Sequence, residues 1–257
     1  DFELTAAAEV CHDEHLSRQE VMRLIPELVE KSILVSQHNP IGMRYRLLDT
    51  LREYGREWLD KLGETETFRR RHRDYYLDLA EEGDQSWSGQ RQQYWFTRMR
   101  YEHDNIRLAL EYCLTEPAEA RAGLRLLSAL WFMWVACGFS RAGRMYLERA
   151  LACSPEPGAE RCRALWVLSY IRSTQGDLEG ALAAAEQCSQ EAVRIGDTGA
   201  VLLSTKMQGT ASALAGDLQK AKALLGVAIE FHRGGRELNP GLLPAIVELA
   251  FVLTAEN

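Results

Sequence analysis

The chain has 257 residues, and 46% of them are apolar, which is enough to bury a large core and argues against intrinsic disorder. The 37 acidic residues outnumber the 30 basic ones and leave a formal net charge of −7. Binding of phosphates normally requires a clustered excess of Lys and Arg, so the composition argues against a broad nucleic-acid interface.

The first predicted elements are two helices, a β-hairpin and a third helix. Apolar residues with helical spacing predict a helix over residues 20–31, and Pro26 inside it predicts a kink or a late start. An apolar run at residues 33–35, turn residues at 38–42, and alternation at 43–47 predict the hairpin. Thr50 and Glu53 have the spacing of a capping box at the start of the next helix. This order is typical of a winged-helix domain, which we assign to residues 1–62.

The following segment, residues 63–116, is predicted to contain helices only, over residues 67–82 and 92–113, with a polar break at 83–86. We interpret it as a helical linker that includes the first solenoid helices. The most apolar stretch, residues 126–139, is shorter than the roughly 20 residues that cross a bilayer. It predicts a buried helix and no membrane partner.

Residues 117–257 repeat with a period near 40. Gly138, Gly176 and Gly216 each lie between two helical patterns, 38 and 40 residues apart. Five, nine and twelve positions after each glycine come small or apolar residues, namely Gly143, Leu147, Ala150, Ala181, Ala185, Cys188, Ala221, Leu225 and Ala228. Small residues at matched positions let paired helices approach closely, and this period is typical of stacked helical hairpins. The predicted fold is therefore mainly α, a partial winged helix followed by a solenoid similar to tetratricopeptide repeats (TPRs).

The cysteine pattern predicts reduced thiols, and the chain ends predict a piece of a cytoplasmic protein. The six cysteines form no CxxC pair and lack zinc-module spacing, so we expect reduced thiols, mostly in the core, and no metal site. We interpret residues 11–15, which include His12 and His15, as a polar loop between helices. The chain starts at Asp1 without a Met and shows no targeting segment, so we expect a piece of a longer cytoplasmic protein.

Two stretches resemble a known family. They are residues 44–57, RYRLLDTLREYGRE, and residues 102–110, EHDNIRLAL. Together they are similar to large bacterial transcriptional regulators of the LuxR and SARP (antibiotic-regulatory) types, which belong to the signal-transduction ATPases with numerous domains (STAND). In that family a P-loop nucleotide-binding module precedes a winged helix and a TPR-like arm, and a DNA-binding domain lies at one end of the protein.

The resemblance implies a regulatory role. The winged helix would pack against an upstream nucleotide-binding domain, and the helical arm would receive the signal. No GxxxxGK[ST] phosphate loop occurs in the chain, so we expect no cofactor here and ATP or ADP only in the parent protein. Related plant and animal switches carry a Met-His-Asp motif after the wing, where this chain has Leu47, Leu48 and Asp49. Asp49 is thus a weak candidate that would face the upstream nucleotide.

Direct DNA binding by this chain has little support in the sequence. The predicted recognition helix, residues 20–31, offers Arg23 and Lys31 against three glutamates. The arginine-rich segment at residues 69–73 is flanked by acidic residues, which favours ion pairing on a solvated helix. We expect DNA contact only through a domain outside this chain.

Two aromatic groups have a structural and a functional interpretation. Trp131, Phe132, Trp134 and Phe139 either line a ligand groove or form solenoid core, and we favour the core. The second group is expected to dock the solenoid on the winged helix, and its members are Trp87, Tyr94, Trp95, Phe96 and Tyr101.

No catalytic motif is recognisable, because the chain contains neither GxSxG nor HExxH. We therefore expect no enzyme activity in this chain and no catalytic residues. Our first hypothesis is a regulatory fragment whose solenoid binds a protein or small effector. The alternative is a free-standing TPR adaptor for protein–protein interaction.

Overall fold

The computed structural model describes residues 1–233 and 242–255 and confirms a mainly α-helical fold. Two compact units divide the chain, Asp1–Glu116 and Pro117–Asn257. In the described part of the chain, no helix is both long and apolar enough to cross a bilayer. The second unit contains the predicted hairpin repeats, and the first contains the predicted β-hairpin.

The first unit joins a small antiparallel sheet to five helices. The sheet has strand order β1-β3-β2, and the β2–β3 hairpin turns over Pro40 and Ile41. The two-residue β1 was not predicted, because so short a strand carries no alternation pattern. A core of Ala7, Ala8, Val21, Ile25 and Leu34 lies between these elements. The elements are β1 (Phe2–Glu3), α1 (Leu4–Cys11), α2 (Arg18–Glu30), β2 (Leu34–Asn39), β3 (Gly42–Leu47), α3 (Asp49–Leu62), α4 (Thr65–Ser86) and α5 (Gln92–Thr115).

Helix α2 starts earlier than the position predicted from Pro26. Ser17 caps it, and Ser17 and Glu20 form a reciprocal capping box, so the prediction of a late start is wrong. The helix continues through Pro26. Met22 and Pro26 lie on an exposed face, where water can satisfy the carbonyl group that proline leaves without a donor.

Two other predicted helix boundaries are wrong. Helix α3 begins at Asp49 with Leu48 as its N-cap and without a side-chain cap, so Thr50 and Glu53 form no capping box. Helix α4 continues through the predicted break at 83–86 and ends at Ser86. Gly83 is buried within it, and tertiary packing has overridden the low helix propensity of glycine.

The second unit is a stack of helices, and short turns connect those from α6 to α12. The single helix predicted over residues 126–139 is wrong, because Leu130 separates α6 from α7, but the stretch is largely buried as expected. A short 3₁₀ helix, Pro117–Glu119, precedes the stack. The helices are α6 (Ala120–Ala129), α7 (Trp131–Ala136), α8 (Ser140–Cys153), α9 (Ala159–Thr174), α10 (Leu178–Ile195), α11 (Thr198–Leu214), α12 (Leu218–Arg233) and α13 (Leu242–Ala255).

The predicted repeat register is confirmed by backbone geometry. Gly138, Gly176 and Gly216 have φ of +86°, +77° and +84°, a left-handed conformation that favours glycine where two helices join. All nine matched positions are buried. At Gly143, a Cβ atom would lie 2.6 Å from Cγ of Trp134, so the close approach of α7 and α8 requires glycine there.

Candidate effector-binding surface and coupling network

The first helices of successive hairpins form one layer of the stack. Helix α9 contacts α7 on one side and α11 on the other, and α11 contacts α13. The second helices, α8, α10 and α12, make their main contacts with these first helices. The first helices therefore form the inner layer of the stack, the side on which repeat proteins usually bind their ligands.

Aromatic and polar side chains occupy matched positions across this layer. Trp166 and Lys206 lie ten residues before their turn glycines, and Tyr170 and Thr210 lie six residues before them. These matched positions put the pairs at corresponding places on α9 and α11. We call this set of residues the inner strip, and its members are Trp131, Trp166, Tyr170, Lys206, Thr210 and Glu248.

The aromatic end of the inner strip is a cluster of three rings. The ring of Trp131 lies 5.8 Å from that of Trp166 and 6.3 Å from that of Tyr170, measured between centroids. The rings of Trp131 and Tyr170 are nearly parallel, with an interplanar angle of 21°. All three residues are partly exposed, so the cluster lies at the surface of the layer and is not buried in the core.

The polar end of the inner strip contains a buried cation. Lys206 is 6% exposed, and its Nζ atom lies 4.0 Å from Oε1 of Glu248. The Thr210 hydroxyl donates to Oε2 of Glu248 over 2.6 Å. Burial lowers the pKa of Lys206, and the Glu248 carboxylate opposes this effect. Burial raises the pKa of Tyr170, and Glu248 raises it further.

The first aromatic group divides between core and surface. Phe132 and Trp134 are buried, and the Trp134 indole donates to the Leu127 carbonyl over 2.9 Å, so the core interpretation is correct for them. Trp131 instead belongs to the inner strip. Sequence reasoning missed Trp166, Tyr170 and Lys206, although their matched offsets from the turn glycines were visible.

The second aromatic group packs within the first unit. Trp95 is fully buried and Trp87 is buried, whereas Tyr94 and Tyr101 are exposed. The guanidinium groups of Arg91 and Arg98 lie over the ring of Tyr94, at 5.2 and 5.7 Å from its centroid. Burial and cation–π contacts within the first unit therefore explain the positions of most of these aromatic residues, and no ligand is needed to explain them.

The two stretches that carry the family resemblance meet in a buried ion pair. Arg44 of β3 is 2% exposed and Glu102 of α5 is 1% exposed, and the guanidinium donates to the carboxylate. Tyr76 and Asn105 also donate to Oε2 of Glu102, over 3.0 and 2.7 Å. Although burial favours the neutral form of Arg44, its hydrogen bond to Glu102 raises its pKa overall. Burial and the Glu102 carboxylate both raise the pKa of Tyr76.

This pair links the sheet to the helices that follow it. Arg44 also contacts Oδ1 of Asp1 at 2.6 Å. Breaking a buried pair leaves a buried charge without its partner, which costs much more than the loss of a surface pair. The position of β3 relative to α5 is therefore fixed by charge as well as by packing.

Helix α3 leaves its apolar face largely exposed. None of its residues is buried, and Tyr54, Trp58 and Leu62 are 57%, 43% and 61% exposed. Asp49 is exposed at its first turn, where Arg52 lies 3.1 Å away. An exposed aromatic and aliphatic face of this kind is typical of a protein-interaction surface.

The charged surfaces of the first unit are largely neutralised. In α2, Arg18 pairs with Glu9 and Arg23 with Glu27. Within residues 69–73, Arg70 lies 3.9 Å from Glu66, and Arg71 donates to the His12 carbonyl. A cleft of about 660 Å³ in this unit is lined by five carboxylates and two arginines. The carboxylates, which would repel phosphates, are Glu3, Glu9, Asp74, Asp78 and Glu82.

The histidines and thiols considered in the sequence are in separate environments. His12 lies in the α1–α2 loop, with Nδ1 within 3.1 Å of the Ala8 carbonyl, and His15 is exposed in the same loop. Burial raises the pKa of Cys162 to about 11 and that of Cys188 to about 12. These two buried thiols are therefore poor nucleophiles at neutral pH. Cys11 and Cys153 are exposed, so not every thiol belongs to the core.

Comparison with known proteins gives one consistent similarity. No family model matches the chain. In an alignment of 223 residues that covers 82% of the chain, it is 28% identical to a protein of Mycobacterium bovis and to proteins of two Mycobacterium tuberculosis strains. Each bears the name "Putative HTH-type transcriptional regulator". The chain spans about a quarter (25%) of the length of these curated relatives.

Proposed function

We propose that this chain is the sensor segment of a STAND-type transcriptional regulator of the LuxR or SARP kind. The inner strip would bind an effector, and the first unit would transmit the signal to an upstream nucleotide-binding module. The observation that carries the proposal is the inner strip itself, which combines partly exposed aromatic rings with the charge pair of buried Lys206 and partly exposed Glu248. Similarity to proteins named as transcriptional regulators supports the regulatory part.

In this proposal the exposed face of α3 is the contact with the nucleotide-binding module. Tyr54, Trp58 and Leu62 supply its apolar area, and Asp49 at the first turn is the residue closest to the nucleotide. ATP or ADP would be bound by the parent protein, outside this chain. The chain itself would carry no catalytic, cofactor or metal site, and the parent would act in the cytoplasm.

In the same proposal, DNA is contacted by a domain outside the chain. The ion pairs on α2 and the carboxylate-lined cleft support this, because both surfaces present carboxylates that would repel phosphates. Mixing the chain with duplex DNA at low salt should give no complex. Binding that weakens steeply with salt would instead assign DNA contact to the winged helix.

The alternative is a free-standing TPR adaptor, which the hairpin stack would equally allow. The sequence of the complete gene product separates the two. Our proposal expects a GxxxxGK[ST] segment before Asp1 and a helix-turn-helix domain at either end. Absence of both would favour the adaptor.

A variant of α3 tests the coupling role in the complete protein. Trp58→Glu places a charge in the exposed apolar face and should change the affinity for ADP, while Arg23→Gln on α2 should not. Equal affinities in both variants would contradict contact between α3 and the nucleotide-binding module.

A further inference from the structure

Two donors without acceptors lie at equivalent positions of the inner strip. Trp166 and Lys206 each precede a turn glycine by ten residues, on the adjacent helices α9 and α11. The Nε1 atom of Trp166 is buried and has no acceptor among the described residues. The Lys206 side chain is 92% buried, being 8% exposed, and its closest described carboxylate is at 4.0 Å, beyond hydrogen-bond length.

Buried donors nearly always have an acceptor in folded proteins, whereas the 4.0 Å ion pair with Glu248 leaves the N–H groups of Lys206 without a hydrogen bond. Lys206 carries three N–H donors and Trp166 one. Together they are complementary to a ligand group with several acceptor oxygens and a negative charge. A carboxylate has this chemistry.

Glu248 restricts which charges a ligand at this site can carry. Its Oε2 atom accepts from Thr210 over 2.6 Å, which fixes the carboxylate in place, while Oε1 faces Lys206 without a hydrogen bond to it. A simple anion would be repelled by Glu248 as well as attracted by Lys206. A ligand that also carries an ammonium group would satisfy both charges.

The aromatic end of the inner strip supplies the remaining contact. Trp131 and Tyr170 have nearly parallel rings, and both residues are partly exposed. Trp166 belongs to both ends, because its ring lies 5.8 Å from that of Trp131 and 6.3 Å from that of Tyr170, and its Nε1 atom is one of the two donors. A flat apolar group that stacks on these rings can therefore belong to the same small molecule as the charged groups.

We propose that the inner strip binds a small zwitterion of the amino-acid type with a flat apolar side chain. Its carboxylate accepts from Lys206 and Trp166, its ammonium group lies beside Glu248, and its flat group stacks on Trp131 and Tyr170. This inference rests on the proposed function, because it identifies the chemical class of the effector for the same surface.

Isothermal titration calorimetry of the complete 257-residue chain tests the inference with three probes. L-Tryptophan carries both charges, tryptamine lacks the carboxylate, and indole-3-propionate lacks the ammonium group. We expect L-tryptophan to bind at least about tenfold more tightly than either truncated probe, since each loses a charge-assisted hydrogen bond.

Variants identify the residues that distinguish L-tryptophan from the two truncated probes. Lys206→Met should weaken L-tryptophan to about the affinity of tryptamine, and Glu248→Gln should weaken it to about that of indole-3-propionate. Trp166→Phe removes the N–H and keeps a smaller aromatic ring, so it should weaken the two carboxylate-bearing probes more than tryptamine. The matched control is Lys220→Met, an exposed lysine on α12, which should leave all affinities unchanged.

Three results would overturn the inference: no binding of any probe, equal binding of all three, or L-tryptophan binding that Lys206→Met leaves intact. The comparison of probes on the unmodified chain stays decisive even where a variant fails to fold. If no probe binds but Lys206→Met still changes transcription in the host, the ligand class is wrong and the regulatory function stands.

Discussion

Single residues of the second unit show why the repeat could be recognised from the sequence. Glycine at 138, 176 and 216 is required by left-handed backbone geometry, and the small residue five positions later is required by close helix packing. Both requirements act at fixed offsets, so they appear as a period. The charged pair of the inner strip depends on contacts between different helices and leaves no such pattern.

The first prediction concerns two helical glycines with opposite surroundings. A Cβ added at Gly143 would meet Trp134 at 2.6 Å, whereas one added at Gly226 would meet nothing within 4 Å. Gly143→Ala should therefore lower the free energy of unfolding by about 1–3 kcal/mol through overpacking. Gly226→Ala should raise it by about 0.5–1 kcal/mol through helix propensity. Urea unfolding of the two variants measures both effects, and equal midpoints would contradict the helix packing described at Gly143.

The second prediction concerns pH and His72. Burial lowers the pKa of this histidine from 6.5 to about 4, with Glu102 acting in the opposite direction. Between pH 6.5 and about 4 the unfolded chain binds a proton that the folded chain does not. Stability should therefore fall as the pH falls through this window, by at most about 1.4 kcal/mol per pH unit from this group.

His72→Phe removes that proton while keeping an aromatic ring beside Tyr76, whose centroid lies 4.7 Å from that of His72. The variant should show a shallower loss of stability between pH 6.5 and 5 in urea titrations at a series of pH values. Parallel curves for the two proteins would show that His72 titrates normally in the folded chain.

At the scale of elements, the sequence predicted most helices and the hairpin but missed several boundaries. Helix α4 passes through Gly83 because the buried side of the helix is stabilised by packing, which local propensity does not report. The short β1 pairs with β3 and could not be recognised without its partner. The candidate site was predicted least well: Asp49 and Trp131 were named, but Lys206 and Glu248 meet only through the fold.

The third prediction tests the link between β3 and α5. Glu102→Gln leaves the buried Arg44 without its main counter-charge and should lower the free energy of unfolding by about 3 kcal/mol, near the low end for buried pairs because Asp1 also contacts Arg44. Glu27→Gln removes an exposed pair with Arg23 and should change stability by less than about 1 kcal/mol. Similar losses from both variants would contradict a special role for the buried pair.

At the scale of the whole molecule, we propose that the two units have two different tasks. The second unit carries the inner strip, and the first carries the exposed face of α3 together with the Arg44–Glu102 pair. A ligand can shift a regulatory equilibrium only if it binds one state more tightly than the other. The inner strip is where we expect that difference in affinity to arise.

The most direct measurement is the transcriptome of the host that encodes this chain. It should be compared between the wild type, an in-frame deletion of the chain, and the Lys206→Met and Lys220→Met variants. We predict that Lys206→Met alters the transcripts that the deletion alters, while Lys220→Met matches the wild type. A deletion that changes no transcripts, or a Lys206→Met strain identical to the Lys220→Met strain, would contradict regulation through the inner strip.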